Sequence, residues 1–178
     1  IYTGGVHMDG FLDTMDALGS NQSREKKLEI LKDSNSGAFA VIGGIIYFLL
    51  YFASIISFKN ITQIYILAIS YILIRAYSAL SLLVFKNARG SGLAYEFSSK
   101  SSLYTNRIVL FICIIVCSLI IMYINLHLGI ICTIAVYMVF LYYRVKSFDE
   151  FGGVTGDLAG YFLQLSELVT VLILAIAA

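Results

Sequence analysis

The sequence contains no proline and no tryptophan, and only 13% of its 178 residues are charged. An ordinary soluble domain has about a quarter of its residues charged, and a chain this short of polar surface is poorly covered in water as a monomer. Lipid is the better solvent, since 60% of the residues are hydrophobic. The formal net charge is +1, so no global field argues for nucleic acid or for an acidic partner. Without tryptophan, the interfacial aromatic role falls to tyrosine, present 13 times. Without proline, the broken helices that carriers use near the bilayer midplane have no obvious source. Cys113, Cys117 and Cys132 lie in apolar runs away from metal-ligand partners, a pattern of small buried thiols rather than disulfide or zinc chemistry. No basic stretch followed by an apolar core marks a signal peptide. The first residue is Ile1, beside a glycine-rich motif, which leads us to expect further helices upstream.

What is present is a series of long apolar runs. A span needs about 20 apolar residues, and Ala38 to Ser57 supplies them without a charge. Ile61 to Phe85 is interrupted only by Arg75, and Leu158 to Ala178 only by Glu167. Ile108 to Tyr143 is long enough for two passes, with a break around Asn125, His127 and Gly129. The expected fold is therefore all-α: a polytopic integral membrane helical bundle of five transmembrane helices. A cytoplasmic N-terminal helix bears an acidic motif, and residues 1–178 form one membrane-embedded catalytic domain. Lysine and arginine cluster in alternate connecting segments (Arg24, Lys26, Lys27 and Lys32; Lys86, Arg89, Lys100 and Arg107; Arg144 and Lys146). By the positive-inside rule, residues 1–37, 86–107 and 144–157 are then cytoplasmic and the C-terminus lies outside. Every acidic residue except Glu167 falls in those three segments.

Three motifs carry chemistry. In the opening segment, Asp9, Asp13 and Asp16 recur at i, i+4, i+7 and share one helix face. Such carboxylates repel each other, no lysine or arginine precedes Arg24 to pair with them, and a hard cation such as Mg²⁺ removes the cost. His7, two residues before Asp9, suits a proton acceptor, a group supporting a metal ligand, or a structural role. The second motif, Lys32-Asp33-Ser34-Asn35-Ser36-Gly37, precedes a charge-free span. It reads equally as a helix cap and as an anion-binding helix end. The third, Gly152-Gly153-Val154-Thr155-Gly156-Asp157, resembles a phosphate cradle. Beyond it Asp157, Gly160, Gln164 and Glu167 form a polar or small stripe along an apolar helix. Arg75 sits two to three turns inside its span, where pairing with Glu167 or clamping a phosphate is favoured over snorkelling. His127 reads as polar punctuation in a turn.

In this order, these residues resemble the cobalamin synthase family, also called adenosylcobinamide-GDP ribazoletransferase. The likeness runs over nearly the whole chain. It includes Gly4-Gly5-Val6-His7-Met8-Asp9-Gly10-Phe11-Leu12-Asp13-Thr14-Met15-Asp16, Leu28 to Ser34 with Gly37, Arg75, Ala88-Arg89-Gly90-Ser91-Gly92-Leu93, and Gly152 to Asp157 with Glu167. The resemblance implies a Mg²⁺-dependent enzyme of the inner membrane that joins adenosylcobinamide-GDP to α-ribazole or its 5′-phosphate and releases GMP, late in cobalamin biosynthesis. It implies catalytic roles for His7, Asp9, Asp13, Asp16 and Asp33, and metal ligation by Asp9, Asp13, Asp16 and Asp157. Substrate contacts are implied for Lys32, Ser34, Arg75, Arg89, Gly153, Thr155 and Glu167. It implies further helices before Gly4, a lipid partner, no nucleic acid, and leaves a homo-oligomer open. A CDP-alcohol phosphotransferase uses similar acidic spacing, but its pattern has glycine after the second aspartate and then Ala-Arg, whereas Ala17 follows Asp16 here. A carrier built on Asp and Arg75 ranks third, because the acids are one-sided.

Overall fold

The computed structural model describes residues 5–33, 35–89 and 103–177. Seven helices are described among them: α1 (Val6–Gly19), α2 (Arg24–Ile30), α3 (Ala38–Ile56), α4 (Ile61–Val84), α5 (Leu103–Ile124), α6 (Leu126–Phe151) and α7 (Gly156–Ile176). The last five are long and apolar enough to cross a membrane, so the chain is a polytopic all-α membrane protein. Apolar side chains cover the outer faces of α3, α5 and α6, where Phe48, Phe52, Ile115, Leu119 and Met138 are exposed. α4 and α7 are the most enclosed spans and form the centre, with Leu73, Ile74, Phe162 and Leu174 fully buried.

Where the helices stop differs from the hydropathy reading in one instructive place. The last loop was expected over 144–157, but α6 runs on through Arg144 and Lys146 to Phe151. Charged residues leave a helix intact; what ends this one is Gly152, whose φ of 77° makes a left-handed cap with its N–H donating to Phe148 O. The short turns at the opposite end are locally encoded. Asn60 and Gln63 form a capping box at the start of α4, and the Asn125 side chain accepts from Leu128 N to start α6 directly after α5.

These connections alternate the spans, so the starts of α3, α5 and α7 and the ends of α4 and α6 gather at one end of the bundle. α1 and α2 sit there too. α2 is clamped to the end of α6: buried Lys27 places Nζ 2.5 Å from Glu150 Oε2, and Arg24 Nη2 donates to Asp149 O at 3.1 Å. The exit of α4 is sewn to the entry of α7 by an isolated parallel bridge between Asn87 and Val154. Its bonds run from Ala88 N to Val154 O and from Val154 N to Lys86 O, each 2.9 Å. A β-carbon on Gly153 would lie 2.4 Å from Lys86 O, so only glycine permits the stitch.

The acidic helix is an integral part of the bundle. α1 packs on α7 and α3 and runs antiparallel to α7: Gly10 meets the Asp157 backbone, and one turn along, Gly160 meets His7. A β-carbon on Gly10 would fall 2.7 Å from Asp157 Cα, and one on Gly160 2.9 Å from His7 O. Small residues that let backbones approach are the general device for joining helices in lipid, where no hydrophobic difference drives association. Phe11 completes the contact, stacking on Tyr161 at 5.7 Å and tilted against Tyr47 at 5.3 Å. Gly10→Val is expected to lower the stability of the detergent-solubilised protein by about 1–3 kcal/mol, as overpacking does elsewhere, readable as a fall in the thermal unfolding midpoint. An unchanged midpoint would mean that α1 is not held by this contact.

Candidate active site

Gly10 governs the site as well as the packing. With Asp157 pressed against it, the residues one before and three after, Asp9 and Asp13, flank the first turn of α7. The Asp13 carboxyl is pushed up to about 6, first by burial and then by the charges of Asp9, Asp157 and Asp16, with Arg89 opposing. Two segments far apart in sequence thus bring carboxylates into mutual range, and a third brings an arginine. Arg89, delivered by the Asn87–Val154 stitch, is the cation among the described residues that lowers Asp13. Its Nη1 lies 2.9 Å from Asp157 Oδ2, a close charge contact outside hydrogen-bonding angles, because Asp157 Oδ2 is buried without a hydrogen-bond partner among the described residues. Arg89 Nε and Nη2 are likewise buried and unbonded there.

Oxygen-only donors of this kind suit Mg²⁺, which takes a few carboxylates and completes its shell with water and phosphate. The buried, unbonded Asp157 oxygen and the crowded Asp13 both fit such a cation. Among the described residues, however, no three His, Cys, Asp or Glu side chains already stand close enough to grip an ion. Binding would require Asp9, Asp13 and Asp157 to turn inward and Arg89 to give way.

Asp16 is occupied differently from what spacing suggested. It is buried, and both its oxygens accept backbone N–H groups at the start of α3, from Gly37 and, at 2.9 Å, from Ala40. It acts as a cap supplied from another helix, satisfying donors that Gly37 cannot satisfy itself. No local pattern announces a cap whose partner is 21 residues away. Thr155 is also a cap, its hydroxyl accepting from Leu158 N at 3.2 Å, and Gly153 serves the stitch described above. The glycine-rich loop is therefore a splice between helices as described, with Gly156 alone facing open space.

Asp33 lies apart: its Oδ1 accepts from Asn35 N at 3.0 Å and Asn35 Nδ2 at 2.8 Å, in an exposed local turn. Those bonds, the backbone one first, hold its carboxyl below the usual range. Lys32 is exposed, its backbone N–H closing the last turn of α2 on Glu29. Ser34 and the Gly90–Leu93 part of the Arg89 motif lie outside the described residues.

A second polar tier lies deeper. Arg75 Nη1 donates to Glu167 Oε1 and to Tyr71 O, each at 3.1 Å, and the guanidinium stands 5.6 Å from the Tyr71 ring centre. Tyr71 and Tyr51 share a short hydroxyl contact, and Tyr47 donates to Gln164 Oε1 at 2.5 Å. Arg75 is thus paired, and the pair is tied to α3 through tyrosines whose part the sequence reading did not see. An Arg or a Glu alone in a span is conspicuous; a tyrosine among 13 is not. His7 sits beside this tier, held below its ordinary value by burial and then by Arg75.

Because its folded-state value is raised, Asp13 opposes folding above about pH 6 and does so less as pH falls toward its unfolded value. Without divalent ions, Asp13→Asn is expected to raise the unfolding midpoint at pH 7 by roughly 1–4 °C, about 1 kcal/mol or less after solvent screening. The gain should shrink at pH 5. A destabilised Asp13→Asn at pH 7 would contradict this crowding. Asp16→Ala, by contrast, is expected to destabilise by about 0.5–2 kcal/mol, as cap loss does.

The match to known proteins is extensive. Residues 1–175 fit the family described as cobalamin-5-phosphate synthase. A protein of Lachnoclostridium phytofermentans named adenosylcobinamide-GDP ribazoletransferase is 39% identical over 177 residues, covering 99% of this chain and 67% of that one. One of the same name from Clostridium botulinum (strain Alaska E43) is 35% identical, covering 95% and 67%. Another from Pseudomonas syringae pv. syringae is 31% identical, covering 99% and 71%. No solved structure matches the chain.

Proposed function

The chain belongs to the cobalamin-5-phosphate synthase family, and from that premise we propose that it is an adenosylcobinamide-GDP ribazoletransferase with its site at the α1–α7 contact. The observation that carries the site assignment is the convergence of Asp9, Asp13 and Asp157 beside Arg89. In the reaction, a ribose hydroxyl of α-ribazole or its 5′-phosphate attacks the phosphorus bearing the cobinamide side chain. A new P–O bond forms, the bond to the bridging oxygen breaks, and that oxygen leaves with the electron pair as GMP. The hydroxyl proton must go to a nearby base.

Positioning and charge compensation do most of the work in such transfers. Asp9, Asp13 and Asp157 would hold Mg²⁺, which when bound offsets the charge of the pyrophosphate. Arg89 has donors left over after its contact with Asp157, and its fork would pair with two oxygens of a phosphate. His7, held below its ordinary value by burial and then by Arg75, would accept the proton. Asp16 acts through the start of α3. The alternating distribution of Lys and Arg supports a cytoplasmic location for this end of the bundle.

The test is GMP release from adenosylcobinamide-GDP and α-ribazole by the full chain in lipid vesicles, with Mg²⁺ and with chelator. Asp13→Asn and Asp157→Asn are each expected to lower kcat by about 10²-fold or more, the scale on which lost transition-state electrostatics is felt. Turnover should vanish with chelator and return with Mg²⁺. Undiminished turnover in both variants would remove the metal assignment.

A further inference from the structure

Several cations at the carboxylate end of the bundle already have an acid beside them. Lys26 pairs with Glu29, Lys27 and Lys146 with Glu150, and Arg89 with Asp157, all within 3.4 Å. Lys86, Arg107 and Arg144 differ: none has a carboxylate within ion-pair reach among the described residues. They also stand at one level. Lys86 directly follows the apolar run Ile61 to Phe85, Arg107 directly precedes the run Ile108 to Tyr143, and Arg144 directly follows it. The runs mark the hydrocarbon layer, so the three charges sit at its edge. The helices they belong to or adjoin, α4, α5 and α6, pack on one another.

Each of the three is anchored without being neutralised. Arg107 Nη2 donates to Leu83 O at 2.6 Å, reaching from the start of α5 to the end of α4. The Arg144 guanidinium stands 5.8 Å from the centre of the Phe85 ring. That ring is itself stacked on Phe140 at 5.5 Å and set edge-on to Phe148 at 6.0 Å. Lys86 is exposed, and its carbonyl accepts from Val154 N at 2.9 Å. Residues 83–86, at the exit of α4, are thus the common footing of all three charges. Like charges so grouped repel, and an anion placed among them relieves that cost.

What lies below selects the kind of anion. α5 and α6 are the least enclosed of the five spans, with Ile108, Phe111 and Ile112 exposed on α5 and Met138 and Val145 on α6. A soluble anion gains nothing from that surface. An anionic phospholipid uses both parts. Its phosphate takes charge-assisted hydrogen bonds from guanidinium and ammonium groups, its acyl chains cover the apolar side chains, and basic pockets between spans are where such headgroups are held.

We propose that the surface where α4, α5 and α6 meet the edge of the bilayer, marked by Lys86, Arg107 and Arg144, is a binding site for an anionic phospholipid. The three cations hold the headgroup phosphate, and the acyl chains lie along α5 and α6. This requires the spans and not the transferase reading, so the two stand or fall separately.

In the experiment, the full chain in an uncharged detergent is titrated with dioleoylphosphatidylglycerol, with dioleoylphosphatidylcholine and with inorganic phosphate at constant ionic strength. The thermal unfolding midpoint is read. Phosphatidylglycerol is expected to raise it saturably, and the other two to leave it near its starting value. Arg144→Gln and Lys86→Gln should each move half-saturation about fivefold to higher lipid, the worth of one cation near an anionic membrane surface. Neither side chain holds a hydrogen bond among the described residues, so both variants are expected to fold. Arg144→Lys, which keeps the charge, should recover most of the loss. Lys26→Gln removes the same charge from a paired position and should leave half-saturation unchanged. The site would be overturned by no rise with phosphatidylglycerol, or by an equal rise with phosphatidylcholine or with inorganic phosphate. Half-saturation unchanged in both Arg144→Gln and Lys86→Gln, or moved as far by Lys26→Gln, would overturn it as well.

Discussion

The backbone of α1 lies against the backbone of α7, glycine to main chain in both directions, and the rest of the site depends on that approach. Gly10 admits Asp157 and Gly160 admits His7. In lipid, such closeness is held by van der Waals contact rather than by exclusion of water. Because the two helices run antiparallel, one contact sets two depths at once. Carboxylates from both helices meet at the outer tier, while His7 is carried down beside Arg75.

Holding like charges together costs stability, and the fold manages the cost locally. Arg89 is brought to Asp157 by a bridge of two hydrogen bonds that also ties α4 to α7. Asp16 is withdrawn from the cluster by the N–H groups that begin α3. What remains is concentrated on Asp13, which burial and the charges of Asp9, Asp157 and Asp16 crowd. On the proposed function, the repulsion relieved when a cation binds would add to the attraction gained.

Much of this was legible in the residues alone. The five spans, their order and the two intramembrane charges follow from apolar run length and from the rarity of Arg and Glu within such runs. The convergence of the first and last motifs was expected from their shared acidity and from the family likeness. Period puts Asp16 on the face of Asp9 and Asp13, but only the neighbour of that face reveals that its oxygens also hold the start of α3. Thr155 and Gly153 show the same limit, because a glycine-rich turn before a helix looks alike whether it cradles phosphate or lets another strand of backbone pass. The tyrosines beside Glu167 were invisible for a simpler reason. Tyrosine is common in this chain, and only the fold says which hydroxyls face inward.

The described chemistry-bearing groups of the outer tier lie at one end of the bundle, and the polar turns at Asn60 and Asn125 lie at the other. On the proposed function, substrates and product would share that one mouth, and the bilayer would supply no gradient to the reaction. Its contribution is confinement: partners that also linger at the lipid surface search for this mouth in a plane instead of a volume, which favours rapid hand-over among neighbours anchored in the same leaflet.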